Sequence, residues 1–337
     1  MRNIYDLTIK ELEDYFISIN EKKFRAVQVY EALYKRRITS FDDMTNISKE
    51  VREKLKQDFS FYKIKMLIKQ QGKNVNKYLF ELEDGNKIES VLMFHDYGTS
   101  ICVSSQVGCN MTCAFCESGR LKKVRNLLAY EIVQQILQIE EDINKRITHV
   151  VLMGIGEPFD NYDNVLRFVK IINCGKGIDI GSRHITISTC GVIPGIKKFI
   201  NEEVQVNLAI SLHAPNDTLR SRIMPINKAY PLNELMETIK EYINKTNRRV
   251  TFEYIMLDNV NDSEENAKEL AILLKGINCY VNLIPYNETE NIEFKRTKEW
   301  KIMKFYDILK KNKINVTIRK EFGGSVDAAC GQLRANN

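Results

Sequence analysis

The sequence predicts an α/β protein: a partial (β/α)6 TIM-like barrel with a small N-terminal helical domain and a β-hairpin extension. Three observations predict it. From about residue 100 onward, short apolar runs such as THVVLMG, HITISTC, VNLAISLH and YVNLIPYN alternate with amphipathic stretches such as YEIVQQILQI, VLRFVKII and WKIMKFYDILKK. That alternation makes a parallel sheet covered by helices, and about six units are present where a closed barrel has eight. Ahead of them, residues 1–58 carry helical periodicity and residues 61–107 carry strand periodicity. A chain of 337 residues is long enough for one large α/β domain and a small appendage.

The expected boundaries are 1–60 for the helical domain, 61–99 for the hairpin extension, 100–300 for the barrel and 301–337 for a C-terminal helix, strand and tail. In the first segment, Thr8 and Glu11 fit a capping box that opens a helix running to about Ile17. A second helix over about 23–37 puts Phe24, Val27, Tyr30 and Leu33 on one face and ends in Lys35, Arg36 and Arg37. A third runs from about Ser48 to Gln57. In the extension, Asp84-Gly85 marks a hairpin between KYLFELE and KIESVLMF. Glu89 then shares a strand face with Val91 and Met93. A carboxylate on an apolar face must be paired or used; read from the strand alone, it fits a structural salt bridge.

Charge is uneven along the chain. Residues 1–80 hold 17 Lys/Arg against 11 Asp/Glu, a surplus of 6, and the remaining residues hold 33 of each. A basic N-terminal segment on a neutral body fits either a polyanion-binding appendage or an ordinary solvated surface. No apolar run approaches the ~18 residues of a membrane span. The N-terminus lacks the apolar core of a secretory signal, so a cytoplasmic, reducing setting is expected, where cysteines serve metals or catalysis.

The densest chemistry is GCNMTCAFCESG, where Cys109, Cys113 and Cys116 are spaced C-x3-C-x2-C. Three thiolates on one loop can hold three irons of a 4Fe–4S cluster. The fourth iron then stays open to chelate S-adenosylmethionine (SAM). A zinc knuckle completed by a distant ligand and three packed thiols are the competing readings. Barrel chemistry sits past the C-terminal strand ends. There stand Gly154-Ile155-Gly156-Glu157, then Ser188, then Ser211-Leu212-His213, then Asn287. Glycines admit close backbone approach, and Glu157 can accept from an amine. The tail carries DAACGQL with Cys330, and Cys102 precedes the loop by seven residues. Cys174, Cys190 and Cys279 show no spacing logic and read as structural.

GCNMTCAFC, MGIGEPFDNYDNV, RHITISTCGVIP, AISLHAPND, RSRIMPIN, VNLIPYN and DAACGQL together resemble the RlmN/Cfr family of radical SAM RNA methyltransferases, over nearly the whole chain. The resemblance implies methylation of an adenine ring carbon with two SAM per turnover. Cys330 would carry the methyl group from the first. The second, on the open iron, would yield a 5′-deoxyadenosyl radical that activates that methyl for addition to the ring. Glu89 matches the family's proton acceptor, displacing the salt-bridge reading. Cys102 matches the thiol that attacks Cys330 and leaves a transient disulfide. Gly156, Glu157, Ser188, Ser211, Leu212, His213 and Asn287 match SAM contacts, with Thr189 and Asn282 lying close by. The implied partners are 23S rRNA, in some members tRNA, and an electron donor such as flavodoxin or ferredoxin; a monomer is expected. Glu117 and the glycine-poor stretch Arg120–Arg125 depart from the family pattern. Methylation at adenine carbon 8 and a non-catalytic, zinc-stabilised RNA-binding module are the alternatives; Glu157-Pro158 and the HAPN stretch favour carbon 2.

Overall fold

The computed structural model describes residues 1–289 and 291–319. Helix α1 (Ile9–Ser18) opens as expected: the Thr8 hydroxyl accepts from the Glu11 N–H at 3.3 Å, and the Glu11 carboxylate accepts from the Thr8 N–H at 2.9 Å. α2 (Phe24–Tyr34) and α3 (Lys49–Asp58) follow. α2 is shorter than its periodicity suggests. Arg37 takes a left-handed φ of 56° and reaches across to pair with Glu140 of α4 (Ala129–Ile143). Arg167 of α5 (Tyr162–Ile172) likewise pairs with Glu11, so the helical domain is fastened to two barrel helices. Several of its basic residues are answered locally, as in Lys10–Asp14, Lys35–Glu31 and Lys54–Asp58.

Among the described residues, ten strands form one sheet in which each strand lies beside the next in sequence. β1 (Lys65–Gln71), β2 (Val75–Glu81), β3 (Lys87–His95) and β4 (Gly98–Cys102) make an antiparallel meander. From β4 the sheet runs parallel through β5 (His149–Leu152), β6 (Ile185–Thr189), β7 (Asn207–Ser211), β8 (Val250–Met256), β9 (Cys279–Pro285) and the short β10 (Val316–Ile318). α4 and α5 are joined on the outside by α6 (Ile193–Phe199), α7 (Asp217–Ile223), α8 (Leu232–Thr246), α9 (Glu264–Leu273) and α10 (Glu299–Lys311). The six expected βα units are present, and β10 adds a seventh parallel strand.

The extension over 61–99 is continuous with the barrel: β3 pairs with β4 in the register Val91↔Cys102, so the barrel sheet runs on into it. The division at residue 100 falls inside β4. The reason is burial. β2 is buried from Val75 to Phe80 on both faces, which an isolated hairpin cannot provide. Among the described residues β1 is the open edge on this side, and it carries Lys65 and Lys69, charges that discourage further pairing. Among the described residues no helix is long and apolar enough to cross a membrane.

Candidate active site

The cysteine loop follows β4 and lies over the C-terminal ends of the parallel strands. Cys109, Cys113 and Cys116 line one cavity together with Gly154, Gly156, Glu157, Ser188, Ser211 and His213. The loop is pinned from several sides. The Cys109 N–H donates to Leu121, the Ala114 N–H to Ile223 and the Cys116 N–H to Cys113, at 2.9, 2.9 and 3.1 Å. Burial pushes the Cys109 thiol up to about 12 and Cys113 well above its ordinary value, with neighbouring sulfurs adding to both. These thiols therefore ionise only against a strong cation.

The glycines of the second loop have a local reason. A Cβ on Gly154 would stand 2.6 Å from the Val103 carbonyl, and one on Gly156 (φ 112°) 2.7 Å from Gln106. They let this loop lie against the segment leaving β4. Glu157 follows, 3% exposed. Its two oxygens accept from the Phe159 N–H at 2.9 Å and the Cys190 N–H at 2.8 Å. Burial raises its pKa, and hydrogen bonds from those two amides and from the Cys190 and Thr189 side chains oppose the rise. A carboxylate has about four acceptor positions, so it can also accept from an amine.

His213, in a left-handed conformation (φ 58°), accepts the Ile255 N–H on Nδ1 at 3.0 Å. That bond places its proton on Nε2, and burial drives its basicity down to about 3. Phe115 of the cysteine loop packs edge-on against it, ring centres 4.8 Å apart. Behind this rim lies Arg220, with no exposed surface. Its guanidinium donates to the carbonyls of Cys190, Leu212 and Ser211 and to Asn227 Oδ1, at 2.7, 3.1, 3.2 and 2.9 Å.

Glu89 and Cys102 stand on the meander rather than in the cavity lining. Cys102 packs with Val75, Val91, Met93 and Ile155. Glu89 is buried and pairs with Lys77 Nζ at 2.9 Å, so the salt bridge that its strand position suggested exists. Leu212 and Asn287 do not line the cavity. The Leu212 side chain is sealed in the main core, leaving only its backbone facing the rim. Ser188 lines the cavity where Thr189 does not, and Asn282 donates instead to Glu253 at 2.9 Å. Cys330 lies outside the described residues, and no disulfide joins the described cysteines.

Residues 2–60 match the family model described as the ribosomal RNA large subunit methyltransferase N-terminal domain, and residues 103–271 match the radical SAM superfamily. The chain is 54% identical, over its full length and 98% of the relative, to a probable dual-specificity RNA methyltransferase RlmN of Spiroplasma citri. It is also 54% identical to the protein of that description from Enterococcus faecalis, over 99% of this chain and 96% of the other. A crystal structure of a radical SAM methyltransferase from Sphaerobacter thermophilus superposes over all of both chains with a TM-score of 0.94 at 41% identity. The chain belongs to the RlmN family.

An RlmN-family enzyme implies a 4Fe–4S cluster and SAM, and the donor set fits both. Cys109 and Cys113, kept protonated by burial, gain from ionising against a cationic centre shared with Cys116. Among the described residues no three such side chains converge as around a single ion, which a cluster does not require because each thiolate takes a different iron. Among the titratable cavity residues, sequence reading missed Cys190 and Glu253. Cys190, read as structural, lines the cavity beside the loop cysteines; no spacing marks it, because the fold alone brings β6 there. Glu253 lies at 5% exposure inside the barrel, and strand alternation in VTFEYIM would have flagged it. Glu117, the departure from the family pattern, is buried at 3% exposure. Neither carboxylate oxygen has a hydrogen bond among the described residues, and Arg120 Nε stands 4.0 Å away.

Proposed function

We propose that this chain methylates an aromatic carbon, carbon 2, of an adenosine in 23S rRNA, and in tRNA as well. The observation that carries this is the convergence of Cys109, Cys113, Cys116, Gly156, Glu157, Ser188, Ser211 and His213 on one cavity at the strand ends. The three cysteines would hold the cluster, whose open iron and bound SAM supply a reductively generated carbon radical. Glu157 would accept from the SAM amino group, and the Nε2–H of His213 would donate into the cavity. Cys330 would carry the methyl carbon as a thioether. The carrier carbon, having lost a hydrogen atom to that radical, would bond to the ring carbon; the adduct would give up its unpaired electron to the oxidised electron donor and its ring proton to Glu89, the C–H pair staying with the ring to restore its aromaticity. Cys102 as thiolate would then attack the Cys330 sulfur: the S–S bond forms, the C–S bond breaks and its electron pair goes to the released carbon, which is protonated to the product methyl. A cellular dithiol resets the disulfide, and a flavodoxin- or ferredoxin-type donor supplies electrons. The enzyme acts as a cytoplasmic monomer. The target base must leave its stack to reach a buried site, and the basic N-terminal domain would hold the RNA body through phosphate contacts.

Mass spectrometry of 23S rRNA and tRNA from a deletion strain tests this. Loss of 2-methyladenosine from both is expected; loss of 8-methyladenosine instead would reassign the ring position, and intact modification would refute the reading. Anaerobic reconstitution should give a brown, oxygen-sensitive protein that forms 5′-deoxyadenosine; a colourless protein holding one zinc would exclude it.

A further inference from the structure

We propose that Lys77 is a positioning residue of the methyl-transfer site, holding Glu89 fixed and ionised for removal of the ring proton. The inference rests on the reading of Glu89 as the base. Its own observation is a buried ion pair: Lys77 Nζ lies 2.9 Å from Glu89 Oε1, with side chains 10% and 4% exposed. Lysine is among the residues least often buried, and an ammonium at this depth needs a reason.

The register supplies the geometry. Lys77 pairs with Val91, and Leu79 with Glu89, so the two charges are diagonal neighbours on one sheet face. Around the pair that face is apolar, built of Val75, Val91, Met93 and Ile155. Alone on it, a carboxylate would be driven to its neutral form, and a neutral carboxyl cannot take a proton. A contacting ammonium reverses that preference and restricts the carboxylate to one orientation. After proton transfer the ammonium is left uncompensated beside a neutral acid, which drives the proton onward and resets the base. Other ionisable groups also face Glu89. Lys87 and Glu81 lie toward the exposed end of the same face, and Cys102 lies diagonally on β4.

The test uses reconstituted, cluster-loaded enzyme with SAM and transcribed 23S rRNA across about pH 6 to about pH 9. In Lys77→Met the acid limb of methylation should move up by about 1–3 pH units. Below that limb a covalent RNA–protein species should accumulate, while 5′-deoxyadenosine yield stays within about twofold of wild type. Lys77→Arg should keep the limb in place. An unmoved limb in Lys77→Met overturns the proposal. So does a parallel fall of 5′-deoxyadenosine and methylation with no covalent species, the mark of a merely structural role. Should Lys77→Met fail to fold, Lys77→Gln carries the same expectations. Glu89→Gln separates the two levels: wild-type methylation there would remove Glu89 as base, whereas a stalled covalent species there, with wild-type behaviour in the Lys77 variants, would remove only the role of Lys77.

Discussion

Arg220→Met removes the brace behind the rim. The guanidinium is wholly buried and serves four acceptors, three of them carbonyls at the ends of β6 and β7. Each buried acceptor left bare costs about 1–3 kcal/mol. Relief of burying a cation without a contacting carboxylate offsets part of that, and removing one member of a buried polar constellation nets about 3–5 kcal/mol. Unfolding entropy of about 2.1 cal/mol/K per residue gives about 0.7 kcal/mol/K for this chain. The midpoint of the cluster-free protein should therefore fall by about 4–7 °C in anaerobic scanning calorimetry. Because Cys190, Ser211 and the His213 turn lose their anchor, SAM affinity of the loaded enzyme should weaken by about tenfold or more. Lys in place of Arg220 keeps the charge but reaches fewer carbonyls and should fall between. A midpoint within about 1 °C of wild type, with unchanged SAM affinity, would refute the bracing argument.

Three further outcomes are expected. His213 has its basicity lowered by burial from 6.5 to about 3, below the unfolded value, so its contribution is complete above about pH 6.5 and drains away as pH falls toward about 3. Between about pH 7.5 and about pH 5.5 the loss is about 1.4 kcal/mol, and the stability gap between wild type and His213→Gln should narrow by that amount in urea titrations. Replacing Cys113 by Ala should abolish the iron–sulfide absorbance of reconstituted protein while leaving its far-ultraviolet circular dichroism unchanged; retained absorbance would move the cluster elsewhere. Cys102→Ala should accumulate a covalent RNA–protein species visible on denaturing gels, and a normal product yield without it would dismiss the attacking thiol.

The barrel was legible because parallel strands buried on both faces read as apolar runs between helical periods, and SICVSSQV, HITISTC and VNLAISLH carry that mark. The loop cysteines were legible because their ligand spacing is local. Harder to read was anything set by strand pairing. Lys77 and Glu89 are twelve residues apart across a hairpin, and their contact follows from a register that a turn signal alone leaves open. Cys190 enters the cavity only because β6 is placed beside the cysteine loop. Leu212 shows the converse: its neighbours Ser211 and His213 face the cavity, and alternation turns the side chain between them into the core.

Continuity of the sheet is what would make the meander part of the proposed chemistry. Val91 pairs with Cys102, and Glu89 sits two residues from Val91, so side-chain alternation puts carboxylate and thiol on one face. Two residues beyond Cys102, the Ser104 hydroxyl donates to the Glu89 carbonyl at 2.6 Å and accepts from the Ile155 N–H at 3.0 Å. One buried hydroxyl thus ties the strand of the proposed base to the loop that carries Gly156 and Glu157. Gln135 of α4 closes the arrangement, accepting from Ser90 at 2.6 Å and from the Ser104 N–H at 2.9 Å. A separate hairpin would leave base and cavity free to drift relative to each other. Built into one sheet and bridged by Ser104, they hold a fixed separation, which the proposed reaction, passing from the cavity to the meander, requires.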